Sequence, residues 1–308
     1  MQITRDDRVR MERAHVLAWP ALRTAVIDGW LWRASGGGSQ RANSVSTVDF
    51  TGADAEAALR DAEARYLAIG AQPRFQTFDE TKPRGLADVL RARGYRETDP
   101  TVTMFKRPAT AAPRSRTPGR PASMPPEGAI FRRPTSAPPA GAILESAPVM
   151  EAPVTEAPVT AAPVTAAPVT EAPGSVETSE HAGPEWLATY LGEITPNRRA
   201  ANSRIIEQIP APHAFFGCRE GSGVIATALC VVGFGCAVVE CVATRADARR
   251  RGAARAVLAQ LEMWASMQGV DWIGLQVAAH NTPAIRLYEA LGFSAGAINK
   301  FWVRDGRG

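Results

Sequence analysis

The stretch that decides the fold covers residues 240–255 and reads Glu-Cys-Val-Ala-Thr-Arg-Ala-Asp-Ala-Arg-Arg-Arg-Gly-Ala-Ala-Arg. Its first residues complete an apolar segment, Ala237 to Thr244, which is typical of a buried β-strand. A loop with three consecutive arginines then leads to Gly252 and a predicted helix. Small residues at a helix start leave the first backbone N–H groups uncovered, and these donors favour a bound phosphate. The stretch therefore predicts a diphosphate site at a strand–loop–helix junction.

Two motifs in order narrow the nature of this ligand. Neither the dinucleotide pattern G-x-G-x-x-G nor the P-loop pattern G-x-x-x-x-G-K-[ST] is present. Residues 249–254 instead read R-x-x-G-x-A, and residues 281–293 read N-x-x-A-x-x-L-Y-x-x-L-G-F. Together these motifs resemble the signature of the GNAT superfamily, the acyl-CoA-dependent N-acyltransferases. The resemblance of these two motifs covers the C-terminal part of the chain.

The resemblance implies an α/β (α+β) fold, with a mixed central sheet flanked by helices, and acetyl-CoA as the co-substrate. It implies that the pantetheine arm pairs with the end of the strand before the loop, as a peptide adds to a sheet edge. The cofactor-binding residues that it implies are Cys241, Val242, Ala243, Thr244, Arg249, Arg250, Arg251, Gly252, Ala253, Ala254, Arg255, Asn281 and Tyr288.

Two residues are candidates for the chemistry. Glu240 is the best-placed carboxylate for removing a proton from the acceptor amine. The alternatives are that its side chain points to the other face of the sheet or forms a structural pair, and that a water chain removes the proton. By resemblance, Tyr288 would protonate the departing CoA thiolate, and the alternative is a packed aromatic side chain. Asn281 would contact the cofactor arm or act as the N-cap of its helix, and these two roles are compatible.

The predicted function is transfer of an acetyl group from acetyl-CoA to an amine, by direct attack in a ternary complex. The acceptor would be an amine-bearing small molecule, a protein N-terminus or a lysine. No cysteine has a base evident from the sequence, which disfavours a covalent intermediate. The alternative is a non-catalytic acyl-CoA sensor or scaffold. Replacing Tyr288 by Phe would distinguish the two, because only an enzyme has turnover to lose.

The chain divides into three predicted parts. Residues 1–107 repeat the element order of the C-terminal part, and their helix–turn segment 86–95 aligns with residues 284–293. This block lacks the arginine–glycine loop, so we expect a degenerate GNAT-like half that does not bind the cofactor. Residues 108–180 form a predicted disordered linker rich in Pro, Ala and Thr, in which Ala-Pro-Val recurs. Residues 181–308 form the predicted catalytic domain. Thr101 to Lys106 could supply its first strand, which would make the two halves one structural unit.

Composition excludes several classes of function. The chain of 308 residues has 45% hydrophobic residues and a net charge of +4, which suits a globular protein and does not require nucleic-acid binding. No long apolar run or signal-peptide core is present, so we expect a soluble cytoplasmic protein without membrane contact. The four cysteines and four histidines show no ligand spacing, so no metal is expected. The sequence leaves the oligomeric state open.

Overall fold

The computed structural model describes residues 2–98, 100–109 and 174–304, and the Ala-Pro-Val repeats lie outside this part of the chain. In chain order the elements are α1 (Arg5–Ala18), β1 (Arg23–Ile27), β2 (Trp30–Ala34), β3 (Val45–Ser46), α2 (Ala55–Leu67), β4 (Arg74–Thr77), α3 (Leu86–Ala92), β5 (Arg96–Glu97), β6 (Thr101–Lys106), β7 (Ser175–Ser179), α4 (Pro184–Gly192), α5 (Pro196–Ile206), β8 (His213–Glu220), β9 (Gly223–Gly233), β10 (Cys236–Thr244), α6 (Ala253–Met267), β11 (Trp272–Ala278), α7 (Thr282–Ala290) and β12 (Ser294–Val303).

Local sequence signals set several helix starts. Helix α1 begins with a capping box, in which the Thr4 hydroxyl accepts a hydrogen bond from the Asp7 backbone N–H and the Asp7 carboxylate accepts one from the Thr4 N–H. Pro184 and Pro196 open α4 and α5, where the missing N–H group of proline costs nothing. These signals are all within a few residues of the helices that they start.

The strands form a mixed sheet in the order β1-β2-β3-β4-β12-β6-β11-β10-β9-β8-β7, with the short β5 paired to β12. Strand β12 joins the two halves of this sheet. Its residues 294–299 pair with β6, and its residues 300–303 pair with β4. The predicted mixed α/β fold is confirmed, and one continuous sheet connects the N-terminal and C-terminal halves.

The two halves exchange strands. Strand β6, from the N-terminal half, lies between β11 and β12 of the C-terminal half and is antiparallel to both. In return, the end of β12 pairs with β4 of the N-terminal half. The prediction that Thr101 to Lys106 supplies the first strand of the C-terminal half was therefore wrong. That strand is β7, within the predicted linker, and it pairs antiparallel with β8 along residues 215–219.

The helices cover the C-terminal part of the sheet on both faces. Helix α6 packs on one face, where Ala237 and Val239 of β10 point into its core together with Tyr288 of α7. The alternate residues of β10, such as Val238, join a second core. This second core contains α4 and α5 and also Met11 of α1, so the first helix of the chain completes the hydrophobic core of the C-terminal half.

Candidate active site

Strands β10 and β11 pair with each other for only a short distance. Their parallel pairing joins residues 236–238 of β10 to residues 272–274 of β11. Beyond it, β10 continues beside β9 to Thr244, and β11 continues beside β6 to Ala278. The facing edges of these two continuations have no strand between them in the part of the chain that the structure describes. An extended, peptide-like group can add to such an edge through backbone hydrogen bonds.

A β-bulge lies where the two strands separate. The register of β10 against β9 shifts between Glu240 and Ala243, and Cys241 has a φ of +54°. This conformation is unfavourable for a residue other than glycine by about 1–2 kcal/mol, so neighbouring contacts must hold it. One of these contacts is the Thr227 hydroxyl, which donates a hydrogen bond of 2.9 Å to the Cys241 carbonyl oxygen. A bulge bends its strand and increases the local twist, which accounts for the divergence from β11.

The start of α6 presents uncovered backbone donors. Gly252 is the N-cap with a φ of +88°, and no side chain caps the helix. The Ala256 N–H donates a hydrogen bond to the Gly252 carbonyl oxygen, which is the first bond of the helix. No acceptor among the described residues meets the N–H groups of residues 253–255. A Cβ atom placed on Gly252 would meet nothing within 4 Å, so the space in front of this turn is open.

Two of the loop arginines are already paired. The Arg249 guanidinium donates to the Glu193 carboxylate at 2.5 Å and to the Thr244 carbonyl oxygen at 3.3 Å. Arg251 forms an ion pair with Glu220 at the end of β8. These contacts hold the loop against the sheet. They also neutralise part of the positive charge that the sequence places here.

Arg250 and Arg255 are the two arginines of this cluster that form no ion pair within the described ranges. Both side chains are exposed. Arg250 has a positive φ of 64°, and Arg255 lies in the uncovered first turn of α6. Their charges are therefore free to act on an anion bound at the helix start, together with the backbone donors.

Tyr288 lies on α7 in the core shared with α6. Its side chain is buried, and its ring packs edge-on against Phe293 with the centroids 5.9 Å apart. Burial and, to a smaller extent, the negative charge of Glu240 raise the pKa of the Tyr288 hydroxyl to about 12. Glu240 follows Val239 along β10, so its side chain leaves the strand on the face opposite the core that holds Tyr288. No direct contact joins the two candidate groups within the described residues.

Asn281 is the N-cap of α7. Its side-chain oxygen accepts a hydrogen bond of 3.3 Å from the backbone N–H of Ala284. This contact is the capping role, one of the two compatible roles predicted for Asn281. The side-chain amide group of Asn281 donates to no acceptor among the residues that the structure describes, so capping leaves its two donors available.

Glu240 is bound to a residue of the N-terminal half. Its two carboxylate oxygens accept hydrogen bonds from the two terminal nitrogens of Arg41, both at 2.6 Å. His15 is fully buried beside the pair, with its Nδ1 atom 3.7 Å from Glu240 Oε1. Burial alone would raise the pKa of Glu240, but the charge of Arg41 and the proximity of His15 lower it to about 2. A carboxylate in this state is a weak proton acceptor.

Comparison with known proteins identifies the C-terminal half. Residues 182–293 match the model of the acetyltransferase (GNAT) family. The chain contains a GNAT acetyltransferase domain. An uncharacterised N-acetyltransferase of Bacillus subtilis is 24% identical over 294 residues, which cover 94% of this chain and 95% of that protein. The similarity to this relative therefore extends over both halves and not over the GNAT domain alone.

Solved structures show the same fold along the whole chain. A GCN5-related N-acetyltransferase from Kribbella flavida has 16% identity and a TM-score of 0.56, and the match covers 97% of this chain and 96% of that one. A tandem GNAT protein from the clavulanic acid biosynthesis pathway has 11% identity and a TM-score of 0.56, covering 99% and 97%. The family match makes residues 182–293 an acyltransferase domain, and its family uses acyl-CoA co-substrates. The solved structures add that both halves together have the fold of these proteins.

Two features are absent from the residues that the structure describes. No helix there has the length and apolar character needed to cross a membrane. Within the same residues, no group of three or more His, Cys, Asp or Glu side chains is arranged to hold a metal ion.

Arg41, in the N-terminal half, contacts the site through Glu240, although no site role was predicted for it. In the sequence Arg41 comes shortly after the Gly-rich segment 36–38. No local pattern predicts that its partner is Glu240, since 199 positions separate the two residues.

Proposed function

We propose that the GNAT domain transfers an acetyl group from acetyl-CoA to an amine, by direct attack within a ternary complex. The observation that carries this proposal is the gap between the diverging ends of β10 (residues 241–244) and β11 (residues 275–278), which we call the slot. The β10 side of the slot leads to the uncovered N-terminus of α6. The slot suits a peptide-like arm, and the helix start suits a diphosphate. Acetyl-CoA has these two parts in covalent connection.

Binding is assigned to three groups of residues. The backbone N–H groups of residues 253–255 and the free charges of Arg250 and Arg255 would hold the diphosphate. The backbone of residues 241–244 would pair with the pantetheine arm. Arg249 and Arg251 would act indirectly, because their ion pairs with Glu193 and Glu220 hold the loop in place. The amide group of Asn281 remains a donor for the arm.

The leaving group needs a proton, and Tyr288 is the proposed donor. When the amine nitrogen bonds to the acetyl carbonyl carbon, the carbon–sulfur bond breaks and the electron pair stays on the sulfur of CoA. A hydroxyl with a pKa of about 12 stays protonated at neutral pH, so the acid is present in its working form. Transfer of its proton to the thiolate completes the exchange, and solvent then returns a proton to the tyrosine.

The amine must lose a proton before or during attack. A lysine-like amine with a pKa of about 10.4 is neutral in only about one molecule in 2,500 at pH 7, a cost of about 4.6 kcal/mol. Glu240 was the candidate base, but its bidentate bond to Arg41 and its pKa of about 2 make it a poor acceptor. We therefore assign proton removal to a water chain and keep Glu240 as a structural anion.

Direct attack is supported by the state of the cysteine beside the slot. Burial, together with the charge of Glu240, raises the pKa of the Cys241 thiol well above its ordinary value. The thiolate is the nucleophilic form of cysteine, so a thiol in this environment is unreactive at neutral pH. An acyl-cysteine intermediate is accordingly not part of the proposed mechanism.

The acceptor is proposed to be an amine on a small molecule, a protein N-terminus or a lysine, in the cytoplasm. The test is titration calorimetry with acetyl-CoA, followed by an assay of thiol release across a panel of amines that represents each class. We expect acetyl-CoA to bind saturably and to release its thiol only when a suitable amine is present. If acetyl-CoA binds but no class of amine causes thiol release, the protein is an acyl-CoA sensor. If acetyl-CoA does not bind, both functions are rejected.

A further inference from the structure

The Arg41–Glu240 pair lies at the point where β10 leaves β11. Glu240 is the last residue of β10 in regular register before the bulge, and Cys241 with its positive φ follows it directly. The Arg41 side chain reaches it from a short 3-10 turn, residues 41–43, in the N-terminal half. Both side chains are largely buried, with exposed fractions of 16% and 9%. A pair in this place can control the geometry of the slot.

The bulge is held from two directions. On the side of β9, the Thr227 hydroxyl binds the Cys241 carbonyl oxygen. On the side of the N-terminal half, the Arg41 guanidinium binds both oxygens of Glu240. A bidentate guanidinium–carboxylate pair sets the orientation of the two groups as well as their distance. Without the second contact, the unfavourable φ of Cys241 would be free to relax towards ordinary strand geometry.

The attachment of the two halves does not depend on this pair. A separate buried network runs between them, in which Gln76 donates hydrogen bonds to Glu12 at 2.7 Å and to Asn299 at 3.1 Å. Arg33 donates to Gln76 from the same region. The exchange of β6 and β12 adds backbone pairing along the sheet. The distinct effect of Arg41 is therefore expected at the bulge and not in general docking.

We propose that Arg41 is a positioning residue for acyl transfer, which acts through Glu240 to hold the Cys241 bulge and thereby keep the acyl-CoA slot open. This inference rests on the proposed function. The N-terminal half then has a defined task, because it supplies the contact that shapes the slot in the GNAT domain. The diphosphate site at the start of α6 lies on another element and does not depend on this contact.

The test measures how one conservative variant, compared with the unmodified protein, binds two ligands. Arg41→Lys keeps the positive charge but loses the planar, two-pronged donor geometry. Calorimetry is performed with acetyl-CoA and with adenosine 3′-phosphate 5′-diphosphate, the part of CoA without the pantetheine arm. We expect acetyl-CoA to bind about tenfold more weakly to the variant, the loss typical of one or two backbone hydrogen bonds. The nucleotide alone should bind as it does to the unmodified protein.

A matched control removes a similar pair elsewhere. Arg93 bridges Glu56 and Glu63 with two hydrogen bonds of 2.7 Å within the N-terminal half. Arg93→Lys should leave the affinity for both ligands unchanged. Equal acetyl-CoA affinity of Arg41→Lys and the unmodified protein would overturn the positioning role. So would an equal loss for both ligands, because that result would indicate a general structural effect.

A second variant keeps the test decisive if Arg41→Lys does not fold. Replacing both Arg41 and Glu240 by Met removes the buried charges together, and such a replacement is often tolerated. If Arg41 is a positioning residue, we expect the double Met variant to fold, to bind the nucleotide and to lose affinity for acetyl-CoA. Full recovery of acetyl-CoA affinity would show that the pair only balances charge and would reject the inference. If the unmodified protein itself fails to bind acetyl-CoA, the proposed function fails instead.

Discussion

Arg41 and Glu240 lie 199 positions apart in the chain, and they form a two-pronged ion pair at 2.6 Å beside the bulge of β10. The pair connects the N-terminal half to the strand that borders the proposed acyl-CoA slot. It also removes Glu240 from the role of proton acceptor, since both carboxylate oxygens are bound. Several measurable consequences follow from this arrangement and from the site around it.

Replacement of Tyr288 by Phe should lower kcat by about 100-fold or more, because general-acid assistance contributes about 10²–10⁴ to such reactions. The affinity for acetyl-CoA should change by less than about twofold, since the lost hydroxyl acts on the leaving group and the ring packing against Phe293 remains. Steady-state kinetics and calorimetry on the same preparation measure the two effects. An unchanged kcat would exclude the acid role.

The pH profile tests the same residue independently. With a pKa of about 12, the Tyr288 hydroxyl stays protonated as the pH rises from 7 to 10, so its deprotonation should cause no fall in kcat over this range. The rate should instead rise or stay level as more of the acceptor amine becomes neutral. A fall in kcat near pH 9 that disappears in the Phe variant would contradict this prediction.

Neutralising Arg255 should weaken acetyl-CoA binding by roughly 10- to 100-fold, because a charge-assisted hydrogen bond contributes about 1.5–3 kcal/mol. The Arg255→Gln variant is measured by calorimetry at two salt concentrations. The salt dependence of the affinity should be reduced in this variant, since one charge no longer contributes.

Arg245→Gln provides the control for that experiment. Arg245 lies at the start of the same loop, but its guanidinium is paired with Asp247. Its removal should have a much smaller effect on acetyl-CoA affinity than the removal of Arg255. Equal effects of the two variants would indicate that the total charge of the loop matters and not the donors at the start of α6.

Stability at low pH should reflect the Arg41–Glu240 pair. The pKa of Glu240 is about 2 in the folded protein and near 4.5 ordinarily, so the folded state favours its charged form. The resulting stabilisation is complete above pH 4.5 and is lost as the pH falls towards 2. The total is about 3 kcal/mol, of which about 2 kcal/mol is lost by pH 3.

Urea unfolding at pH 7, 4 and 3 measures this loss. The variant with Met at both positions provides the reference, because it lacks the titrating group and its partner. Acidification should destabilise the unmodified protein by about 2 kcal/mol more than the variant between pH 7 and pH 3. Equal losses would show that Glu240 does not have a lowered pKa in the folded protein.

The C-terminal half should not fold without the N-terminal half. A fragment of residues 174–308 lacks β6, so β11 and the first part of β12 would lose their shared partner strand. It also lacks α1, whose buried Met11 belongs to the core of that half. We expect this fragment to be insoluble or unfolded when it is produced alone, as judged by circular dichroism.

Co-production with residues 1–107 should restore a soluble complex with acetyl-CoA affinity close to that of the intact chain, because the missing strand and helix are then supplied. A fragment of residues 174–308 that folds and binds acetyl-CoA on its own would show that the strand exchange is dispensable.

The sequence by itself determined the features that depend on short stretches of chain. The strand–loop–helix junction at Gly252, the N-cap at Asn281 and the apolar strand before the loop are set by neighbouring residues, and the structure contains all three. These features were enough to identify the GNAT fold, because the small residues and helix signals that make the proposed diphosphate site are adjacent in sequence.

The tertiary structure alone decided which distant segments meet. Strand β7 lies among the residues that composition assigned to the linker, and β6 entered the sheet at a different place from the expected one, because pairing depends on which edges remain open after the helices pack. The partner of Glu240 was decided in the same way. A carboxylate on a strand has the same local sequence whether it faces a substrate or an arginine, and only the packing of the N-terminal half against β10 makes Arg41 its partner.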